Sequence, residues 1–361
     1  MKRREFMGTV GKVGLGLAVA GAMTPSKTAA QEQTFNWKVA TSWPPKMPCL
    51  QEGTERLAQR VEKMTNGRFK MQVFAGGELV GPMDVFDAVS QGRAVQAAST
   101  GIYFFAGKAP ELQLFAACPF GLTHRELAAW DYQGGGLELY HEFLKPFNLI
   151  AFPMASTGTQ MGGWFRKEIK SVTDLKGLKM RIPGLGGRVM AKLGVNVVLL
   201  PGSEIFTAME RGVIDACEWA LPLYDIHLGL HQIAKYYYTP GWQEPTTFVD
   251  LIVNLKAWEA LPPDLRLLVE TACSESMNWT LARSDVQNGP ILKEMVEKHG
   301  VKLTTFPPAV VKALEKATAE VLEEECKKYP NVKKVYEHQL KFSSQIRPFL
   351  KATEWAYVKT I

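Results

Sequence analysis

Two fifteen-residue stretches, VFDAVSQGRAVQAAS (85–99) and IFTAMERGVIDACEW (205–219), align without a gap and lie 120 residues apart. They share Phe86 with Phe206, Ala88 with Ala208 and Gly92 with Gly212, and Ala97 matches Cys217 as a small residue. Each stretch predicts a helix stopped by a glycine at its C-terminus, then a short buried strand. Chance can produce a weak match of this length, but we read the repeat as two similarly built lobes.

The flanking sequence supplies the rest of such lobes. FNWKVATSW (35–43) alternates apolar and polar residues and predicts a strand. Leu50, Leu57, Val61 and Met64 recur close to a helical period, and that helix ends before Asn66-Gly67. FKMQVF (69–74) is a second alternating strand, with Phe69, Met71 and Val73 on one face. This rhythm implies an α/β fold, a parallel or mixed sheet covered by helices. Two such lobes enclose a cleft, and ligands bind there at the carboxyl ends of strands. Glu218-Trp219 occupies that position in the second repeat, and residues 100–103, ending in Tyr103, occupy it in the first.

Residues 1–30 read as a leader outside the fold. Arg3-Arg4 with Phe6 two residues on, a short glycine-rich apolar run from Val10 to Met23, and Lys27 near the end resemble a twin-arginine export signal. Its five basic residues and one acid take a net +4 with them, so +2 of the formal +6 remains on the mature chain. A surface so near neutral gives no electrostatic footprint for nucleic acid. No later apolar run reaches the roughly 18 residues a spanning helix needs. The mature chain is therefore expected to be a periplasmic protein. Its five cysteines are far apart, with no C-x-x-C, and read as small buried apolar residues, pairing being the alternative.

From about residue 262 the pattern is helical. Residues 264–299 form a long amphipathic stretch with an expected kink at Gly289-Pro290, and 308–329 form another helix. Beyond Pro330, a loose apolar stripe through Val332, Val335, Phe342, Ile346, Phe349 and Leu350 predicts a helical tail. Such a face docks on its own body or on a neighbour's. We lean toward a dimer contact.

Candidate chemistry gathers around the expected cleft. Arg181 alternates with Leu178, Met180 and Ile182, so it is expected to project away from the main apolar face, near a strand end. There it can hold a carboxylate by two parallel hydrogen bonds, although a surface arginine paired with a neighbouring acid is the simpler reading of this residue alone. Glu218, Glu244 and Gln160 are candidates for the same cluster. Two carboxylates in a partly dry cleft repel each other and an anionic ligand, a conflict that a hard cation would resolve, though the spacing is no recognised metal motif. Signals for catalysis are poor: G-x-S-x-G, H-E-x-x-H and the Walker loop are all missing. His227 and His231 are spaced to share a helix face but lack a third ligand, and PGLGGR (183–188) reads as a tight turn.

SVTDLKGLKMRIPG followed by LGVNVVLLPGSEIFTAMERGVIDACEW resembles the signature region of the DctP-type solute-binding proteins of TRAP transporters. GRFKMQVFAGGELVGPMDVFDAVSQG and ELQLFAACPFGL follow the same family's pattern in the first lobe. The resemblance implies a two-lobed periplasmic binding protein, type II-like, with an interlobe cleft, a long helix spanning both lobes and a C-terminal helical extension. It implies no enzyme, but a receptor that closes on an organic acid and delivers it to the membrane permease subunits. The implied lobes are 31–156 with 246–286 and 157–245 with 287–328, and the extension is 329–361.

It further implies that Arg181 binds the ligand's carboxylate. The Cys-Glu-Trp ending (217–219), with Gln160 and Glu244, is similar to the branch for 2-oxo and 2-hydroxy monocarboxylates. There a cation bridges ligand and protein, held by Gln160, Glu218, Glu244 and the backbone oxygen of Trp219. Tyr103 and Trp219 would narrow the pocket. Arg181, the two glutamates and a monocarboxylate together carry −2, which calcium would neutralise, whereas the branch favours sodium for 2-oxo acids such as pyruvate. We expect sodium, with calcium and lactate-like acids as the alternative, and a homodimer in which the tail helix is swapped.

Overall fold

The computed structural model describes residues 33–361, so the leader and its cleavage site lie outside the described residues. Eleven strands form two sheets among the described residues. The first contains β1 (Phe35–Thr41), β2 (Phe69–Phe74), β3 (Ala97–Thr100), β4 (Leu149–Ser156) and β10 (Phe248–Asn254), in the order β2-β1-β3-β10-β4. β1 runs parallel to β2 and β3, while β10 is antiparallel to both its neighbours. The second contains β5 (Gly163–Phe165), β6 (Lys179–Arg181), β7 (Asn196–Val198), β8 (Ala216–Cys217), β9 (Tyr236–Thr239) and β11 (Lys302–Thr305), in the order β11-β9-β5-β8-β6-β7. Each sheet is the centre of one lobe of an α/β fold.

The internal repeat is structural. Val85–Gln91 is a helix ended by Gly92 at φ 66°, and β3 follows; Gly202–Glu210 is a helix followed by Gly212 at φ 71°, and β8 follows. Both glycines take the left-handed conformation that a side chain disfavours, so the helix stops and the chain turns into the sheet.

Three stretches of chain cross between the two sheets, and a fourth passage, at Tyr329, carries the chain from the helix Pro308–Lys328 to the tail. Residues 157–162 lead from β4 into β5, and residues 240–247 return from β9 to β10. The two crossings bond to each other: Thr157 N–H donates to Thr247 O (3.1 Å) and Gln160 N–H to Glu244 O (3.3 Å). The third connection is the helix Pro263–Glu297, which continues through Pro290, where the sequence predicts a kink. Its first half buries Leu265, Val269 and Cys273 against the first sheet, and Met295 joins the core of the second. A rigid rod therefore packs against both lobes, alongside two short hydrogen-bonded straps.

The tail helix Pro330–Ala352 docks on the first lobe of its own chain, burying Val332, Val335 and Leu350. Arg347 donates to the fully buried Glu126 (2.6 Å), and Gln339 Nε2 to Leu114 O (2.8 Å). Val332, Val335 and Leu350 of the apolar stripe are thus covered within one chain, whereas Phe349 stays 61% exposed. All five cysteines are free.

Candidate functional site

Arg181 is the last residue of β6, flanked in register by Val198 and Cys217. Alternation predicted that its side chain points away from the apolar core; the simpler reading, a surface arginine, is overturned by its 1% exposure. The correction has a structural cause. Beyond the strand end, the chain following β8 folds over it: Nη1 donates to Glu218 O (2.5 Å), Nε donates to Leu200 O (3.1 Å), and the guanidinium lies 5.1 Å from the Trp219 ring centroid. Gly202 permits this roof, because a Cβ there would stand 2.6 Å from the Trp219 ring.

Glu218 is equally buried, and its Oε2 lies 3.6 Å from Arg181 Nη1. Neither carboxylate oxygen has a hydrogen-bond partner within 3.5 Å, although the Gln243 side chain is near enough to lower its pKa. Burial pushes its pKa well above the usual range, and the nearby Glu244 adds to that, while Arg181 opposes it. Trp219 meets Trp43, which follows β1, edge to face at 6.5 Å, so one aromatic contact crosses the cleft between the sheets.

Gln160 and Glu244 come from the two crossings. Gln160 Nε2 donates to Glu244 Oε2 (2.7 Å) and Thr247 Oγ1 (3.0 Å). These bonds fix which end of the amide is which, and they leave Oε1 as a buried acceptor without a partner. Gly241 is needed for the straps to touch, since a Cβ there would lie 2.1 Å from Gln160 O. Burial raises the Glu244 carboxyl as well, against bonds from Thr247 and Gln160 and the charge of Arg181. Tyr103, half-buried in the one-turn helix Ile102–Phe105, stands close enough for Glu244 to help burial raise its phenol.

The structure therefore brings Arg181, Glu218, Trp219, Gln160, Glu244 and Tyr103 together. Other expectations fail. His227 ends the helix Pro222–His227 and His231 sits in the separate turn Leu230–Ile233, because Gly229 at φ 74° divides them. His231 instead packs on His299 at 4.6 Å. PGLGGR is no isolated turn: Gly184 opens the helix Gly184–Lys192. Sequence reasoning missed Asp225. Buried beneath the corner, it accepts from Trp164 Nε1 (2.8 Å), Tyr237 OH (2.6 Å) and Ala220 N–H (3.2 Å), which anchors the backbone next to Trp219. It also missed Gln113 and Gln243; the only sequence hint was Gln243 standing beside Glu244.

Among the described residues, no three of His, Cys, Asp or Glu cluster as a metal site. The available set is two carboxylates with an amide oxygen. Such hard oxygen donors, several of them unpartnered in a dry place, fit sodium or calcium rather than a softer transition metal.

Residues 39–328 match the family model described as bacterial extracellular solute-binding protein, family 7, or DctP. The chain belongs to the DctP family. A monocarboxylate 2-oxoacid-binding periplasmic protein of Nostoc sp. (strain PCC 7120) is 44% identical over 366 residues, 99% of this chain and 98% of that protein. A TRAP periplasmic solute-binding protein of Pseudoalteromonas atlantica, solved with bound sodium and pyruvate, is 38% identical with a TM-score of 0.88, over 91% of this chain and 100% of its own. One from Colwellia psychrerythraea, solved with calcium and pyruvate, is 37% identical with a TM-score of 0.88, over the same shares. This DctP protein is a periplasmic solute-binding component of a TRAP transporter that works with membrane permease subunits, and it is not an enzyme.

Proposed function

We propose that this DctP protein captures small 2-oxo monocarboxylates, pyruvate-like in size, together with a bridging metal cation. The observation that carries this reading is the set of buried oxygens left without partners, Gln160 Oε1 and both oxygens of Glu218, beside one buried guanidinium. Arg181 would hold the ligand's carboxylate through the N–H groups that its backbone bonds do not use. Tyr103 and Trp219 would wall the pocket and exclude water. Gln160 Oε1, Glu218, Glu244 and the backbone oxygen of Trp219 would hold the cation. Once bound, the cation supplies the positive charge that two glutamates and an anionic ligand lack, together with a chelation partner for the 2-oxo oxygen.

Because Gln160 and Glu244 belong to the two straps, ligand and cation would bond to the segments through which the lobes hinge. Capture would thereby favour the closed state by its differential affinity for it. We take the lobes as 31–156 with 246–286 and 157–245 with 287–328. Sodium is our choice of cation. Calcium is the second reading, favoured by the −2 that remains on Arg181, the glutamates and the ligand. Export by the twin-arginine route belongs to the same proposal. So does a homodimer, in which residues 329–361 would exchange contacts such as Arg347–Glu126 between copies.

The test is a pyruvate titration of the mature protein followed by tryptophan fluorescence. It is run after dialysis against a chelator, in sodium, potassium and calcium buffers. Tight binding only with sodium is expected. Equal binding in all three would remove the cation, and no binding in any would remove the 2-oxo acid.

A further inference from the structure

A small cavity of about 10 Å³ lies where the two lobes meet, bounded by Tyr103, Gln113 and Pro119 on one side and by Gly184, Gln243 and Glu244 on the other. Two of these residues belong to the site just described, so the cavity opens off the ligand's own position. Gln113 and Gln243 are each 1% exposed, and the Oε1 of each has no hydrogen-bond partner.

The orientation of both amides is fixed by their nitrogens. Gln113 Nε2 donates to Pro110 O (2.8 Å) and Gln243 Nε2 to Met161 O (2.9 Å). Flipping either amide would set a carbonyl oxygen against a carbonyl oxygen, so the groups left over are acceptors, not donors. Gln113 Oε1 faces the opposite lobe: a Cβ built on Gly184 would lie 3.9 Å from it. Two residues with unpartnered amide oxygens, Gln113 of the first lobe and Gln243 of the strap 240–247, thus line one space. The space suits a single oxygen-sized group, and each acceptor is costly to leave unpaired.

We propose that Gln113 and Gln243 form a two-acceptor subsite selecting 2-oxo acids that carry a hydroxyl on C3. The inference rests on the proposed 2-oxo acid site and specifies its side-chain end. With carboxylate and 2-oxo oxygen engaged by Arg181 and the cation corner, we place the C3 substituent toward Tyr103, which lines this cavity together with Glu244. A hydroxyl there donates its one hydrogen to one of the two amide oxygens. A methyl group of the same size fills the space but strands both acceptors. Sites built to hydrogen-bond a hydroxyl reject the analogue that lacks it far more strongly than apolar pockets reject an extra hydroxyl.

The experiment is calorimetric titration of the mature protein, in sodium and in calcium, with pyruvate, 3-hydroxypyruvate and 2-oxobutanoate. The last two are near-isosteres that differ in a hydroxyl against a methyl. In the wild-type protein, 3-hydroxypyruvate is expected to bind at least about tenfold more tightly than 2-oxobutanoate. Gln113→Met and Gln243→Met should each bring that ratio toward one, the ratio being read within each variant. If pyruvate binds while the two isosteres bind alike, or the methyl acid binds better, the subsite is overturned and the 2-oxo acid reading stands. If none of the three binds in either cation, the functional reading itself fails and takes this one with it. The wild-type ratio decides the matter even if a variant does not fold.

Discussion

Glu218 with Glu244 in the cleft, and Asp131 with Asp250 inside the first lobe, are two buried pairs of acids built from similar parts. In each pair the carboxyl groups are nearly inaccessible, each pair has oxygens without hydrogen-bond partners, and burial raises all four pKa values. The surroundings differ. Asp250 accepts from Tyr140 OH (2.8 Å), Asp131 is raised further by Asp250 and Glu138, and no cation is among the charges acting on either. The cleft pair faces Arg181, borders both straps, and shares its space with an amide oxygen pinned outward. Burial of paired acids is therefore a cost that a fold can carry as neutral, protonated groups. A binding site appears where fixed positive charge and oriented oxygens come to the same place between parts that can move.

The sharpest way to break this comparison is Arg181→Ala. It removes the positively charged side chain beside Glu218 and leaves the bridging cation as the only counter-charge for the glutamates and the ligand's carboxylate. Breaking a buried charge pair costs about 3–5 kcal/mol, so pyruvate affinity should fall by roughly two to four orders of magnitude. Calorimetry checks it; micromolar affinity in the variant would strip Arg181 of its role. Glu218→Gln is the next largest. It keeps an oxygen but loses a charge, and cation sites tune affinity by ligand charge. Pyruvate binding at fixed sodium should weaken by about tenfold to a hundredfold and recover as sodium is raised. Affinity unchanged at every sodium concentration would mean that Glu218 resembles Asp131 after all.

Much of this was legible from periodicity. The strand–helix–strand opening and the repeated helix–glycine–strand unit follow from local patterns of period two and 3.6, and the repeat carries the eye to Glu218-Trp219. The burial of Arg181 was not legible, because it depends on Leu200 O and the Trp219 ring, which belong to other segments. The same holds for Gln243, while Gln113 bonds within its own segment. Their acceptor character is set by Pro110 O and by Met161 O, the latter 82 residues away in sequence. Asp225 was hidden for a related reason: an acid inside a helical turn looks solvated until Trp164 and Tyr237 are seen to donate to it. The tail's apolar stripe was plain, but sequence cannot say whose surface it covers.

Asp250→Asn should leave pyruvate affinity unchanged, and its effect on stability has a definite sign. Burial lifts the Asp250 carboxyl to about 7, against about 3.9 in an unfolded chain. Between those values the folded state holds a proton that the unfolded state has released. The contribution of Asp250 to stability is therefore full below about pH 4, is lost as pH rises through the window, and levels off above about 7, with a slope of up to about 1.4 kcal/mol per pH unit. Asparagine can still accept from Tyr140 and has nothing to ionise, so the slope between pH 4 and 7 should shrink and the variant should gain on the wild type toward neutral pH. Urea unfolding at several pH values measures this directly. Parallel pH profiles for the two proteins would show that Asp250 does not hold that proton in the folded state. A loss of pyruvate binding in the variant would show that the two acid pairs are coupled through the first lobe, and the division between structural pair and binding pair would no longer hold.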